Sequence, residues 1–296
     1  MDLWVIVTLA AAAVQTLRFL LQKRLKGLGL STGGATFSRF LFGAPLALAG
    51  LGLQLAFGQT LPMPTAAFWG FVVVGGVSQI VATFCTVALF SERSFAVGIA
   101  FTKSETVIVA LFSALILAEP VSPAGLVAIL VGTAGVLVLS RPAQGWGHLR
   151  ADRAMALGLT AGALFGLSSI GYRGATLEVA ADSALFRATV ALAAVSVFQT
   201  LAMRLWLAWR EPAETGRVLA AWRSTALVGL TGMLGSLGWF VAFALMNAAY
   251  VRSLGQIELV FSLAVSMLVF HERIRPREIL GIGLLAAGII GIVAVA

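Results

Sequence analysis

Charge is scarce in this chain. Of its 296 residues only 11% are Asp, Glu, Lys or Arg and 60% are hydrophobic, whereas a soluble globular protein carries roughly 25% charged residues. The deficit runs along the whole length, which excludes a soluble domain and implies an all-α polytopic membrane protein. Cysteine is nearly absent. Cys85 stands alone inside an apolar stretch, so an intrachain disulfide framework and a cysteine-built metal site are both excluded. The two histidines, His148 and His271, lie far apart in or beside loops. No Gly-rich phosphate loop, metal-ligand cluster or Ser/His/Asp arrangement stands out. We therefore expect no metal, no cofactor and no enzymatic activity, an intramembrane enzyme being the least supported class. A cleavable leader is also not expected: Asp2 occupies the place of a basic n-region before Leu3 to Leu21, and no small-residue cleavage site follows.

What the chain has in abundance is apolar runs of membrane-crossing length. A helix needs about 20 apolar residues to cross about 30 Å of hydrocarbon. On that measure ten spans are expected, near 3–22, 35–57, 66–90, 95–118, 122–140, 154–173, 183–205, 222–245, 249–270 and 277–296. The net charge of +8 follows from basic residues gathered in short loops, a membrane pattern rather than a nucleic-acid one. Lys23, Arg24 and Lys26 follow span one and Arg93 follows span three. Arg141, Arg150 and Arg153 follow span five, Arg204, Arg210, Arg217 and Arg223 surround the seven–eight connection, and Arg273, Arg275 and Arg277 follow span nine. The segment 58–65 on the other side has no Lys or Arg. The positive-inside rule places both termini outside the cytoplasm.

The run from Ala96 to Pro123 is interrupted by Thr102-Lys103-Ser104-Glu105-Thr106. It recurs as Ala249 to Pro276 at a constant offset of 153 residues, without gaps. Glu105 matches Glu258, Glu119 matches Glu272 and Pro123 matches Pro276. The same offset pairs Trp69 with Trp222, Gly76 with Gly229, Phe90 with Phe243 and Gly135 with Gly288. A duplicated unit of five spans, an odd number, must enter the membrane in opposite senses. We expect two inverted five-helix repeats, 1–145 and 146–296. Duplicated carboxylates at membrane depth point to a transporter; helix tethering is the competing role.

These features resemble the drug/metabolite transporter superfamily, in its EamA-like branch. The resemblance is carried by Ala118-Glu119-Pro120-Val121-Ser122-Pro123, and by His271-Glu272-Arg273 leading into Gly281, Gly288 and Gly291. Ala128 departs from it, standing where the first glycine ladder has glycine. Within the branch the chain is most similar to the YddG-type aromatic amino acid exporters. The resemblance implies a bacterial inner-membrane carrier that exports amino acids, aromatic ones included, and related metabolites by alternating access. Its partners would be a small-molecule substrate and the bilayer, with no nucleic acid, the chain acting as a monomer. The alternatives are a proton-coupled multidrug exporter and a passive channel. Small multidrug relatives carry protons on a first-helix carboxylate, and span one here has no acid beyond its first residues.

Several side chains are candidates for substrate contact. Gly75, Gln79, Thr83, Thr86 and Phe90 share a face of span three. The offset maps that face onto Val228, Gly232, Ser236, Trp239 and Phe243 of span eight. Gln79 needs a partner or a watery cavity at that depth; packing through Ser and Thr hydroxyls is the plainer use of this face. Spans one and six add Gln15, Thr16, Ser168, Ser169 and Tyr172. The expected substrate set is Gln79, Thr83, Trp239, Ser236, Ser168, Tyr172, Lys103 and Gln256. The expected structural ion pairs are Arg39 with Glu105 and Arg187 with Glu258, each within its own repeat, while Glu119 and Glu272 serve as solvated or capping groups at helix ends.

Overall fold

The computed structural model describes residues 2–89, 101–140, 153–261, 263–264 and 276–296. Phe90, Arg93, Arg141, His148, Arg150, His271, Glu272, Arg273 and Arg275, named above, lie outside them. The regular structure among the described residues is helical. The helices are α1 (Leu3–Gly27), α2 (Thr32–Ala56), α3 (Ala66–Leu89), α4 (Glu105–Ile116), α5 (Pro123–Leu139), α6 (Arg153–Leu177), α7 (Ala184–Arg210), α8 (Glu214–Ala220), α9 (Trp222–Leu245), α10 (Ala248–Gly255) and α11 (Pro276–Val295). Seven of them are long and apolar enough to cross a membrane, and α4 and α5 are shorter apolar helices.

Local sequence sets where these helices begin. Ser31, Ser122 and Ser183 each accept a backbone N–H of the first turn of α2, α5 and α7, satisfying donors that a helix start leaves free. Pro123 occupies the first turn of α5, where its missing N–H costs nothing. Asn247 does the capping for α10 through Ala249 N at 2.8 Å.

The expected fourth and ninth spans are each broken in the same place. Phe101 and Thr102 end one helical stretch, Lys103 and Ser104 form a turn, and α4 restarts at Glu105. One offset later α10 ends at Gly255, Gln256 and Ile257 form the turn, and helix resumes at Glu258. Polar side chains in the middle of an apolar run thus mark interruptions of the helix itself.

Packing follows the repeat. α1 lies along α9 and α3 along α6; α4 meets α6, as α10 meets α1. α2 packs on α7, and α5 on α11. A shift of 153 residues exchanges α1 with α6 and α3 with α9, so the first two contacts become each other, and the α2–α7 and α5–α11 contacts map onto themselves. Glycine allows the closest of these approaches. A Cβ on Gly171 would lie 2.6 Å from Gly75 Cα across the α3–α6 crossing, and one on Gly288 would lie 2.5 Å from Gly132 N. Ala128 is accommodated because its Cβ faces Gly291.

The surface is apolar and the interior partly polar, the reverse of a soluble protein. Leu201, Leu205 and Leu115 point outward, whereas Gln79, Thr83, Gln199 and several arginines are buried. At the basic end, exposed Trp209 and Trp222 carry the guanidinium groups of Arg210 and Arg223 over their rings at 4.9 and 5.8 Å. Aromatic rings beside arginines mark a membrane–water boundary.

Candidate substrate site

Two layers of polar side chains meet between the halves. In the first, α3 presents Gln79 and Thr83, α6 presents Ser168 and Tyr172, and α9 presents Ser236. Ser168 donates to Gln79 Oε1 at 2.8 Å, and Gln79 Nε2 reaches Thr83 at 3.5 Å. Arg39 of α2 donates to Thr83 Oγ1 at 3.3 Å and to Ser236 Oγ at 3.1 Å, bridging a residue of each half. Gln199 of α7 donates to Tyr172 Oη at 3.1 Å and to Gly76 O at 3.3 Å. The Tyr172 ring lies against Phe240, centroids 4.3 Å apart. Buried amides and hydroxyls thus satisfy one another across helices, as an apolar surrounding requires.

The second layer lies one helical turn further along α9, at Trp239. Its indole N–H donates to Gln15 Oε1 at 3.0 Å, and Gln15 Nε2 donates to Glu258 Oε2 at 2.9 Å. Lys103 pairs with the other oxygen of Glu258. Arg252 pairs with Glu105 and lies over the Trp239 ring at 4.6 Å. Two cations and two carboxylates make the layer electroneutral. Together with Thr106 and Gly255, these four and Gln256 enclose a cavity of about 10 Å³, too small for an amino acid in this conformation. Gln256 Oε1 is buried without a hydrogen-bond partner among the described residues.

The expected ion pairs are therefore corrected. Glu105 is held by Arg252 rather than Arg39, and Glu258 by Lys103 rather than Arg187. Both pairs cross between repeats, because the broken fourth and ninth spans lie against each other. Nor do Arg39 and Arg187 correspond under the offset: Leu192 stands where Arg39 recurs, and Gly34 where Arg187 would recur. Arg187 instead donates to Ala244 O at 2.9 Å near the C-terminal end of α9, where a cation complements the helix dipole. Lys103 and Gln256 both line the small cavity, but the Lys103 ammonium is engaged by Glu258.

Glu119 is also more than a helix-end group. Arg173 grips it through two nitrogens, Nε–Oε2 at 3.2 Å and Nη2–Oε1 at 2.6 Å, and also donates to Phe243 O. Asn247 donates to Glu119 O at 3.0 Å. The ends of α4, α6 and α9 are thereby tied on the face opposite the basic loops. Arg18, Arg173, Gln199, Asn247 and Arg252 were missed as candidates. An ionisable residue within a membrane span is functional or paired by default, and that rule, applied to every arginine, would have found three of them.

The fold and the cross-repeat polar network define a class: a multi-pass helical membrane protein duplicated around a central polar site, the architecture of a solute transporter. The chain belongs to the EamA-like transporter family, whose model matches residues 2–141 and again residues 152–294. Among solved structures it is similar to a crystal structure described only as that of a protein, at a TM-score of 0.71 and 16% sequence identity. That match covers 97% of this chain and 94% of the other. No curated protein matches the sequence.

Proposed function

We propose that this transporter carries amino acids, aromatic ones included, and related small metabolites across the bacterial inner membrane, in the export direction. In this reading ten spans form two inverted repeats, 1–145 and 146–296, both termini lie outside the cytoplasm, and the halves work by alternating access. The observation that carries it is the pair of polar layers one turn of α9 apart, Ser168–Gln79–Thr83–Arg39–Ser236 and Trp239–Gln15–Glu258–Lys103. The pair draws on both halves and offers donors, acceptors and flat aromatic faces within a short distance. Such a set suits a zwitterion with an apolar side chain. Glu105 and Glu258, the two carboxylates at this site, are each engaged by a cation, Arg252 and Lys103 respectively.

Uptake of phenylalanine and threonine into liposomes tests the reading, with variants matched for folded protein. Gln79→Ala should weaken both substrates by a similar factor. Trp239→Ala should cut the preference for phenylalanine by roughly 2- to 12-fold, the worth of about 0.5–1.5 kcal/mol of ring contact. Trp239→Phe should keep most of that preference, since an aromatic face remains while the indole bond to Gln15 and part of the ring's packing are lost. Unchanged selectivity in Trp239→Ala together with unchanged affinity in Gln79→Ala would remove this face from the site.

A further inference from the structure

Two buried arginines sit side by side without an ion-paired carboxylate among the described residues. Arg18 and Arg39 are 2% and 7% exposed. Their stems flank Gly232 of α9: a Cβ placed there would lie 2.9 Å from Arg39 Cγ and 3.5 Å from Arg18 Cδ. Their hydrogen-bond partners are neutral. Arg39 donates to Thr83 and Ser236, and Arg18 donates to Gln22 Oε1 at 2.9 Å. The rings of Phe19 and Phe40 lie 4.3 and 5.4 Å from the two guanidinium carbons. Glu258 attracts Arg18 electrostatically but is already bonded to Lys103 and Gln15. By contrast Lys103, Arg173 and Arg252 each have a carboxylate in contact.

A guanidinium offers five N–H donors; toward the described residues Arg39 uses two of them and Arg18 one. Adjacent like charges in a low-dielectric interior repel, and burial of unmatched charge is costly. An anion supplied from outside the chain relieves both costs, and the planar fork of arginine is shaped for a carboxylate. Arg39 already touches one hydroxyl from each repeat, one turn of α9 away from Trp239. We propose that Arg39, with Arg18 reinforcing its field, is the docking point for the carboxylate group of the transported solute. The proposal rests on the small-solute reading above and names the part of the solute that is recognised.

The test uses full-length protein in detergent and four ligands that share a phenyl ring: phenylalanine, 3-phenylpropionate, phenylalaninamide and phenethylamine. Affinities are read by thermal shift, and phenylalanine uptake is followed in liposomes. The two carboxylates should bind about tenfold or more tightly than the two that lack one. Arg39→Gln should shrink that gap to less than about threefold, and Arg39→Lys should retain part of it. Equal binding of carboxylate and amide by the unaltered protein overturns the proposal, as does an undiminished gap in Arg39→Gln. Chloride or phosphate competing as well as 3-phenylpropionate also overturns it, reducing the site to a counter-ion site. Should Arg39→Gln fail to fold, the comparison on unaltered protein still decides. Arg39-dependent carboxylate binding without phenylalanine uptake would sink the amino acid reading and leave the anion site standing; phenylalanine uptake without carboxylate preference would do the reverse.

Discussion

Removing one charge from the central layer should be costly, and removing the right second charge should restore part of the loss. Glu105 and Arg252 come from opposite repeats, and their side chains are only 9% and 14% exposed. Breaking a buried pair from one side leaves its partner uncompensated, which costs about 3–5 kcal/mol. For Glu105→Gln the lower end applies, because Glu258 still attracts Arg252. A loss of about 3 kcal/mol corresponds to a fall in apparent Tm of roughly 6–12 °C. Arg252→Gln should cost more, since two carboxylates then face a single lysine and the cation over Trp239 is lost. The double variant should be less destabilised than the sum of the two, by about 1.5–3 kcal/mol. Thermal unfolding in one detergent at one scan rate measures all four corners of the cycle. Additivity within about 0.5 kcal/mol would show that the two residues are not coupled, and the cross-repeat pairing would be refuted.

Two further outcomes are expected. Gly171→Ala drives a methyl group into the backbone of α3 at Gly75 and should lower stability by about 1–3 kcal/mol. Gly283→Ala, with nothing within 4 Å of the new carbon, should be neutral or gain up to about 1 kcal/mol of helix preference; equal effects in thermal unfolding would contradict the close crossing. Reporters fused to the N- and C-termini should both read as external, and activity of cytoplasmic reporters at both ends would reverse the orientation.

The architecture was legible because duplication writes itself twice. The offset of 153 residues located Glu105 and Glu258, and the same offset relates the two helix breaks and exchanges the α1–α9 and α3–α6 contacts. The polar runs in the middle of spans four and nine were visible as composition, but a break in the backbone was not. The ion pairs were illegible for a physical reason. Pairing each carboxylate within its own half assumes that charge follows the repeat, and here the arginines do not. Ile99, Gly171 and Leu20 stand where Arg252, Arg18 and Arg173 have their counterparts. The face of α3 was legible, since Gly75, Gln79, Thr83 and Thr86 are all buried. That Arg39 binds it depended on α2 crossing both α7 and α9, a packing choice that no spacing along the chain encodes.

The sequence does not repeat the arginine that grips Glu119, and this bears on energy as well as on shape. Two identical halves exchanging roles would give two end states of equal free energy, one open to each side, like a balance with equal arms. Here the position equivalent to Arg173 is Leu20, which has no donor to offer. A clasp whose arginine stands in one repeat alone would tilt such a balance: every 1.4 kcal/mol of net preference shifts the ratio of end states about tenfold. If the halves alternate as proposed, this asymmetry in a near-symmetric frame is a bias, set by one arginine, toward the state in which the ends of α4, α6 and α9 are held together.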